Sequence, residues 1–155
     1  MSDARHEMAR HREALKRAED AVGTFAVAYR HQIAAAAAAI DPSLSPFGLR
    51  LARALAHLGP QSAGALAEHF VVDPSVVSRQ LRQLEDLGLV SNEIDPNDRR
   101  CRVVSLTDVG VEKLAALTRD GMVPMTAVLA TWSLSDLDTF ASHIERLTPG
   151  TASTD

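Results

Sequence analysis

The chain has 155 residues, 46% hydrophobic and 4% aromatic, with a formal net charge of −4. That length suits one domain, or a small domain with attached helices, and the hydrophobic fraction supports a real core. The acidic balance excludes a general nucleic-acid coat, although a few arginines focused on one face still suit a sequence-specific regulator.

The N-terminus is charged (Arg5, His6, Glu7, Arg10, His11, Arg12, Glu13) and does not read as an apolar signal region. Residues 4–40 predict one long helix. Its alanine run, residues 34–39, has high helix propensity and permits close helix approach. The longest unbroken apolar run, residues 33–40, is too short to span a membrane, so a soluble, cytoplasmic protein is expected. Asp41-Pro42 ends the helix. Ser45-Pro46 is a cap followed by an N1 proline, and it opens a second helix that runs through Leu58 to the stop at Gly59-Pro60. Ser62 caps a short third helix ending at Phe70. Val71-Val72 then leads into a fourth.

Residues 73–107 carry the most information. Asp73 caps the helix that starts at Pro74. Val76, Val77, Leu81, Leu84 and Leu87 fall on one face, and Ser75, Ser78, Arg79, Arg82 and Asp86 on the other. Gln80 falls toward the apolar flank and reads as structural. Gly88 has the place of a C-terminal cap. Leu89-Val90 starts a strand, Asp95-Pro96-Asn97-Asp98 has the composition of a turn, and Val103, Val104 and Leu106 supply the return strand. Thr107 caps a helix through about Arg119. Asp120-Gly121 and Pro124 then predict a kink or break rather than a domain boundary, because apolar periodicity resumes at Val123, Val128 and Trp132. Ser135 with Asp138 resembles a capping box, followed by a stripe of Leu137, Phe140, Ile144 and Leu147. The tail from Pro149 is small and polar and is expected to be disordered.

A helix of this kind fits the major groove of DNA, and an arginine-tipped hairpin can reach the adjacent minor groove. Arg79 and Arg82 lie about one turn apart, and a bidentate arginine–guanine pair is worth about 1–3 kcal/mol of base discrimination. Ser75 and Ser78 suit a phosphate or a base edge. The competing reading is a solvated face with Arg82 paired to Asp86 at i+4. At the hairpin tip, Arg100 is the minor-groove candidate and Arg99 a phosphate candidate. Asp98 is repelled by phosphate and can instead hold a neighbouring guanidinium by a charge-assisted hydrogen bond.

From about Ser45 to Gly110 the chain resembles the MarR family of winged-helix transcription regulators. The markers are LAEHF, VVSRQLRQLEDLGLV, DPNDRR and VSLTDVG, in that order and spacing. The resemblance implies a mainly α fold with a small β-hairpin wing: a winged helix-turn-helix with N- and C-terminal dimerisation helices. Residues 1–44 would be the N-terminal dimerisation helix, 45–107 the DNA-binding domain, 108–148 the C-terminal dimerisation helices and 149–155 a disordered tail. The family's wing element Asp-x-Arg falls on Asp98 and Arg100, which implies that Asp98 orients Arg100 and that Arg100 enters the minor groove. Asn92 and Glu93 depart from the basic residues often found at the start of the wing.

The implied partners are double-stranded DNA, a second copy of the chain, and a small aromatic or phenolic effector bound between the dimer helices and the DNA-binding lobe. His31, Arg50 and Arg53 are candidates for lining that cleft, although plain solvent exposure accounts for them equally well. The expected outcome is repression from a palindromic operator, with half-sites about 10–10.5 bp apart. A different class of reading is a dimeric protein–protein adaptor, and the acidic charge together with Asn92 and Glu93 lends it weight.

Other chemistry finds little support. The single cysteine, Cys101, excludes an internal disulfide. It reads as a small residue at a strand start rather than a redox switch, since the redox-sensing branch of the family carries its cysteine near the N-terminus. The six histidines (His6, His11, His31, His57, His69, His143) lack metal-ligand spacing. No glycine-rich phosphate loop, nucleophile elbow or recognisable carboxylate pair points to an enzyme or to a cofactor.

Overall fold

The computed structural model describes residues 2–94, 102–119 and 125–147, which form seven helices and a two-stranded antiparallel sheet. The helices α1 (Ser2–Ile40), α2 (Pro46–Leu58), α3 (Ala63–Phe70) and α4 (Pro74–Asp86) precede the strands β1 (Val90–Ile94) and β2 (Arg102–Leu106). The helices α5 (Asp108–Arg119), α6 (Met125–Leu129) and α7 (Leu134–Leu147) follow. Among the described residues, no helix is long and apolar enough to cross a membrane.

Local chemistry sets each boundary. Ser45 Oγ accepts from Gly48 N at 2.8 Å, Ser62 Oγ from Ala65 N at 3.1 Å, and an Asp73 carboxylate oxygen from Ser75 N at 2.8 Å. Each bond satisfies an amide that the first helical turn leaves without a partner. After α4, Gly88 takes φ +68°. Its amide donates to Glu85 O, and the Leu89 amide donates to Leu84 O, both at 2.9 Å. This pair of bonds turns the chain sharply from helix into strand, and the left-handed residue it needs is glycine.

The core lies where α2, α3, α4 and α5 converge under one end of α1. Leu49, Leu51, Leu66, Leu84 and Val77 are its largest fully buried side chains. Burial of each contributes about 1.5–3 kcal/mol relative to exposure. Ile33, Ala36 and Ala37 seal the core from α1, and Val90 and Val104 from the sheet. The hairpin pairs Val90 with Leu106, Asn92 with Val104 and Ile94 with Arg102. Gln61, between α2 and α3, adds a single rung by exchanging backbone hydrogen bonds with Val104 at 3.0 and 2.8 Å. The wing stem is thereby tied to the helix-turn-helix.

Thr107 closes the joint beyond the hairpin. Its hydroxyl donates to Gly88 O at 2.7 Å and accepts from Gly110 N at 3.0 Å, so one side chain caps α5 and holds it to the end of α4. The approach is close enough that a Cβ on Gly110 would lie 2.1 Å from Leu89 O.

One expected boundary is wrong. The cap of α7 is Ser133 with Asp136, not Ser135 with Asp138. Ser133 Oγ donates to Asp136 Oδ2 at 2.6 Å and accepts from Asp136 N at 3.2 Å. Both pairs have the same spacing. The earlier one prevails because the turn closing α6 ends at Trp132, whose ring meets Phe140 edge-on at 5.3 Å. Ser135 instead lies inside the helix, and its carbonyl accepts from Thr139 Oγ1. Residues 120–124, where the kink is expected, and the tail 149–155 lie outside the described residues.

The first and last described helices carry apolar surface. Along α1, Met8, Leu15 and Val22 recur every seven residues and are 59%, 53% and 54% exposed. They continue the stripe that, further along, buries Ile33 and Ala36. On α7, Leu137 and Phe140 are half-buried, while Leu134 and Leu147 are 75% and 67% exposed.

Candidate nucleic-acid interface

The fourth helix is amphipathic in the sense its sequence predicts. Val77, Leu81 and Leu84 are buried, and Ser75, Arg79 and Arg82 are exposed on the opposite side with Ser78 half-buried beside them. Ser75, Ser78, Arg79 and Arg82 line one shallow concavity of about 520 Å³. Arg82 does not pair with Asp86, and neither arginine forms an ion pair among the described residues. Both guanidinium groups thus remain available to an anionic partner. Asp73 sits at the start of this helix, with its carboxyl held below the usual carboxylate range by the hydrogen bond from Ser75. Its charge complements the helix N-terminus.

The wing stem adds a residue that the sequence reading passes over. Arg102 Nε donates to Asn92 Oδ1 at 3.0 Å, and its Nη2 donates to Asn92 O at 2.7 Å. Asn92 is one of the two departures from the family's basic pattern, and here it orients an exposed arginine across the hairpin. The strand register was the available signal: with Val90 opposite Leu106, Arg102 falls one diagonal step from Asn92. Asp98, Arg99, Arg100 and Cys101 lie outside the described residues.

The effector candidates divide. His31 and Arg50 line a cleft of about 590 Å³ between α1 and α2, together with Tyr29, Arg30, Ile33 and Phe47. Arg53 does not line it. The Arg50 guanidinium is 5.0 Å from the Phe70 ring centroid and 5.9 Å from that of Phe47, within cation–π range of both. No group of histidine, cysteine, aspartate or glutamate among the described residues has the arrangement of a metal site.

A helix-turn-helix whose second helix exposes arginines, followed at once by a two-stranded hairpin, is a winged helix-turn-helix. The comparisons with known proteins agree. The MarR family model matches residues 49–102. YxaD of Bacillus subtilis (strain 168), described as an uncharacterized HTH-type transcriptional regulator, is 31% identical over 97 residues, covering 63% of this chain and 68% of the relative. YdgJ of the same organism, with the same description, is 32% identical over 93 residues, and the chain spans only 57% of its length.

Among solved structures, a MarR family transcriptional regulator from Silicibacter pomeroyi DSS superimposes with a TM-score of 0.66 at 26% identity, over 84% of this chain and 87% of that one. A mutant MarR from E. coli complexed with operator DNA gives a TM-score of 0.62 at 15% identity, over 84% and 93%, a likeness of fold. The chain belongs to the MarR family of winged-helix transcriptional regulators, and DNA binding and transcription regulation come with that membership.

Proposed function

We propose that the protein is a homodimeric, sequence-specific repressor that sets the α4 helices of two identical chains into successive major grooves of a near-palindromic operator. The observation that carries this reading is the exposed edge of α4, where Ser75, Ser78, Arg79 and Arg82 meet around one concavity while the opposite edge is buried. In this account Arg79 and Arg82 contact base edges or phosphates, and Ser75 and Ser78 support them. Arg100, oriented by Asp98, enters the minor groove, and Arg99 and Arg102 meet phosphates beside it. Residues 45–107 form the DNA-binding lobe, and residues 1–44 and 108–148 supply the dimer contacts. The exposed apolar surface on α1 and α7 supports that division.

Repression follows if the operator overlaps a promoter and the bound dimer blocks polymerase. The cleft between α1 and α2 suits a small aromatic or phenolic effector, because Tyr29 and Phe47 offer ring faces, Arg30 and Arg50 offer positive charge, and His31 offers a hydrogen-bonding imidazole. Such a ligand releases DNA only if it binds the DNA-competent spacing of the two lobes less well than another spacing.

A gel-shift titration tests the interface. Replacing both Arg79 and Arg82 by alanine is expected to weaken binding to the preferred DNA by at least about 30-fold, from about 1–3 kcal/mol per contact, with the melting temperature unchanged. Equal affinity for wild type and variant contradicts the reading.

A further inference from the structure

The inner edge of α4 carries two glutamines whose contacts the DNA face does not explain. Gln80 and Gln83 are three residues apart and half-buried, and each immediately follows an exposed arginine, Arg79 or Arg82. Gln83 Nε2 donates to Ser43 O at 2.5 Å. Gln80 Oε1 accepts from Ser45 Oγ, the same hydroxyl that caps α2. Both partners belong to the short turn between α1 and α2. That turn is itself braced: Asp41 accepts from Ser43 N at 2.8 Å and from Ser43 Oγ at 2.6 Å. Asp41 N donates back to Ala37 O of α1 at 3.1 Å.

A second feature points the same way. A Cβ on Gly48 would lie 2.9 Å from Leu44 Cδ1, 3.2 Å from Ser45 Oγ and 3.3 Å from Gln80 Oε1. The first turn of α2 therefore has a glycine where the Leu44 methyl, the Ser45 hydroxyl and the Gln80 amide crowd together. On the far side of the turn, the Asp41 carboxyl is held below its ordinary value first by the Ser43 hydrogen bonds and then by the Lys113 ammonium of α5. The turn thus continues from α1 through the chain and touches α4 through two side-chain amides.

We infer that Gln80 and Gln83 are positioning residues that lock the rotation of the recognition helix to the 41–45 turn, and through it to the long helix α1. Apolar packing by Val77, Leu81 and Leu84 holds α4 against the core but is non-directional, so it tolerates small rotations. Hydrogen bonds are directional, and two of them one turn apart fix the angle. Because Arg79 and Arg82 adjoin the two glutamines, a rotation of α4 moves both guanidinium groups together. The spacing of the two recognition helices in a dimer then depends on this turn, an inference that rests on the operator-binding reading above.

The test replaces Gln80 and Gln83 by methionine, singly and together, which keeps length and removes the amide. The first readout needs no DNA. Spin labels at Ala38→Cys on α1 and Glu85→Cys on α4, in a Cys101→Ser background diluted with unlabelled chain, report the angle between the helices. Wild type is expected to give one narrow distance and the double variant a broadened one. The second readout is discrimination between the preferred operator and versions with one base pair added or removed between half-sites. It is expected to fall about tenfold in the double variant, with base preference inside each half-site unchanged.

A role in stability alone would instead lower affinity equally at every spacing. Gln83→Glu, which keeps the length but puts a carboxylate against Ser43 O, is expected to behave like Gln83→Met. Unchanged distances in both single variants and the double overturn the inference, whatever the DNA does. A broadened distance with unchanged discrimination overturns its link to spacing. Failure of wild type to bind any DNA would remove the operator reading but leave the distance measurement decisive.

Discussion

At Val71 the backbone takes φ 52° and ψ 51°, a left-handed conformation in which a β-branched side chain is strained. The residue closes α3 and makes the turn of the helix-turn-helix, with its amide bonded to Glu68 O and the next amide to Ala67 O. Its side chain is 77% exposed, so it contributes little packing in return. Val71→Gly is expected to stabilise the fold by about 0.5–1 kcal/mol, the relief of the left-handed penalty less the entropy of a freer unfolded chain. Chemical denaturation of the two proteins checks this, and a variant less stable than wild type would contradict it. Nothing in the sequence announces the strain, because Val71-Val72 reads there only as a brief connection. The caps at Ser45, Ser62, Asp73 and Thr107 were legible, since each is a short polar residue set immediately before a helical pattern.

At the scale of elements, the joint between the hairpin and α5 is the least forgiving contact. Gly110 lies in the first turn of α5, directly over the Leu89 carbonyl, and an alanine Cβ there would sit 2.1 Å from a backbone oxygen that cannot rotate away. Gly110→Ala must push α5 off the end of α4, at an expected cost of about 2–3 kcal/mol. A melting temperature equal to wild type would show that the joint is looser than its geometry indicates. Read as sequence, VSLTDVG marked a strand, a cap and a helix, but the need for glycine at its end became visible only once Thr107 was seen to draw α5 onto Gly88.

The α4 face was legible because an amphipathic helix separates its two edges by periodicity alone. The structural place of Gln80 was legible from the same periodicity. Its partner and that of Gln83 were not, because they lie on a turn that only the tertiary fold brings to α4, and the Arg102–Asn92 pair needed the strand register. The α7 cap was misplaced for a related reason: two equivalent spacings compete in the sequence, and the end of α6 decides between them.

The helix-turn-helix and wing stem surround one core, while α1 and α7 hold apolar side chains in the open. Met8, Leu15 and Val22 are each more than half exposed on the same side of α1 that is buried at its other end. A long helix of about 58 Å with such a stripe calls for a second surface to cover it. In the homodimer reading that surface comes from the other copy. Leu15→Glu combined with Val22→Glu is then expected to shift the protein toward monomer at micromolar concentration, with the helix-turn-helix core intact by circular dichroism. Light scattering reads this directly, and a wild-type protein that is already monomeric would contradict the dimer.

In the proposed dimer, two identical recognition helices, each exposing Arg79 and Arg82, meet one duplex at a set interval. Selection of bound DNA from a random pool by the purified wild-type protein puts this arrangement to the test. The expected result is enrichment of a near-palindrome with half-sites about 10–10.5 bp apart, in a complex that dissociates steeply as salt rises. No enriched sequence, or a single half-site without symmetry, would contradict it.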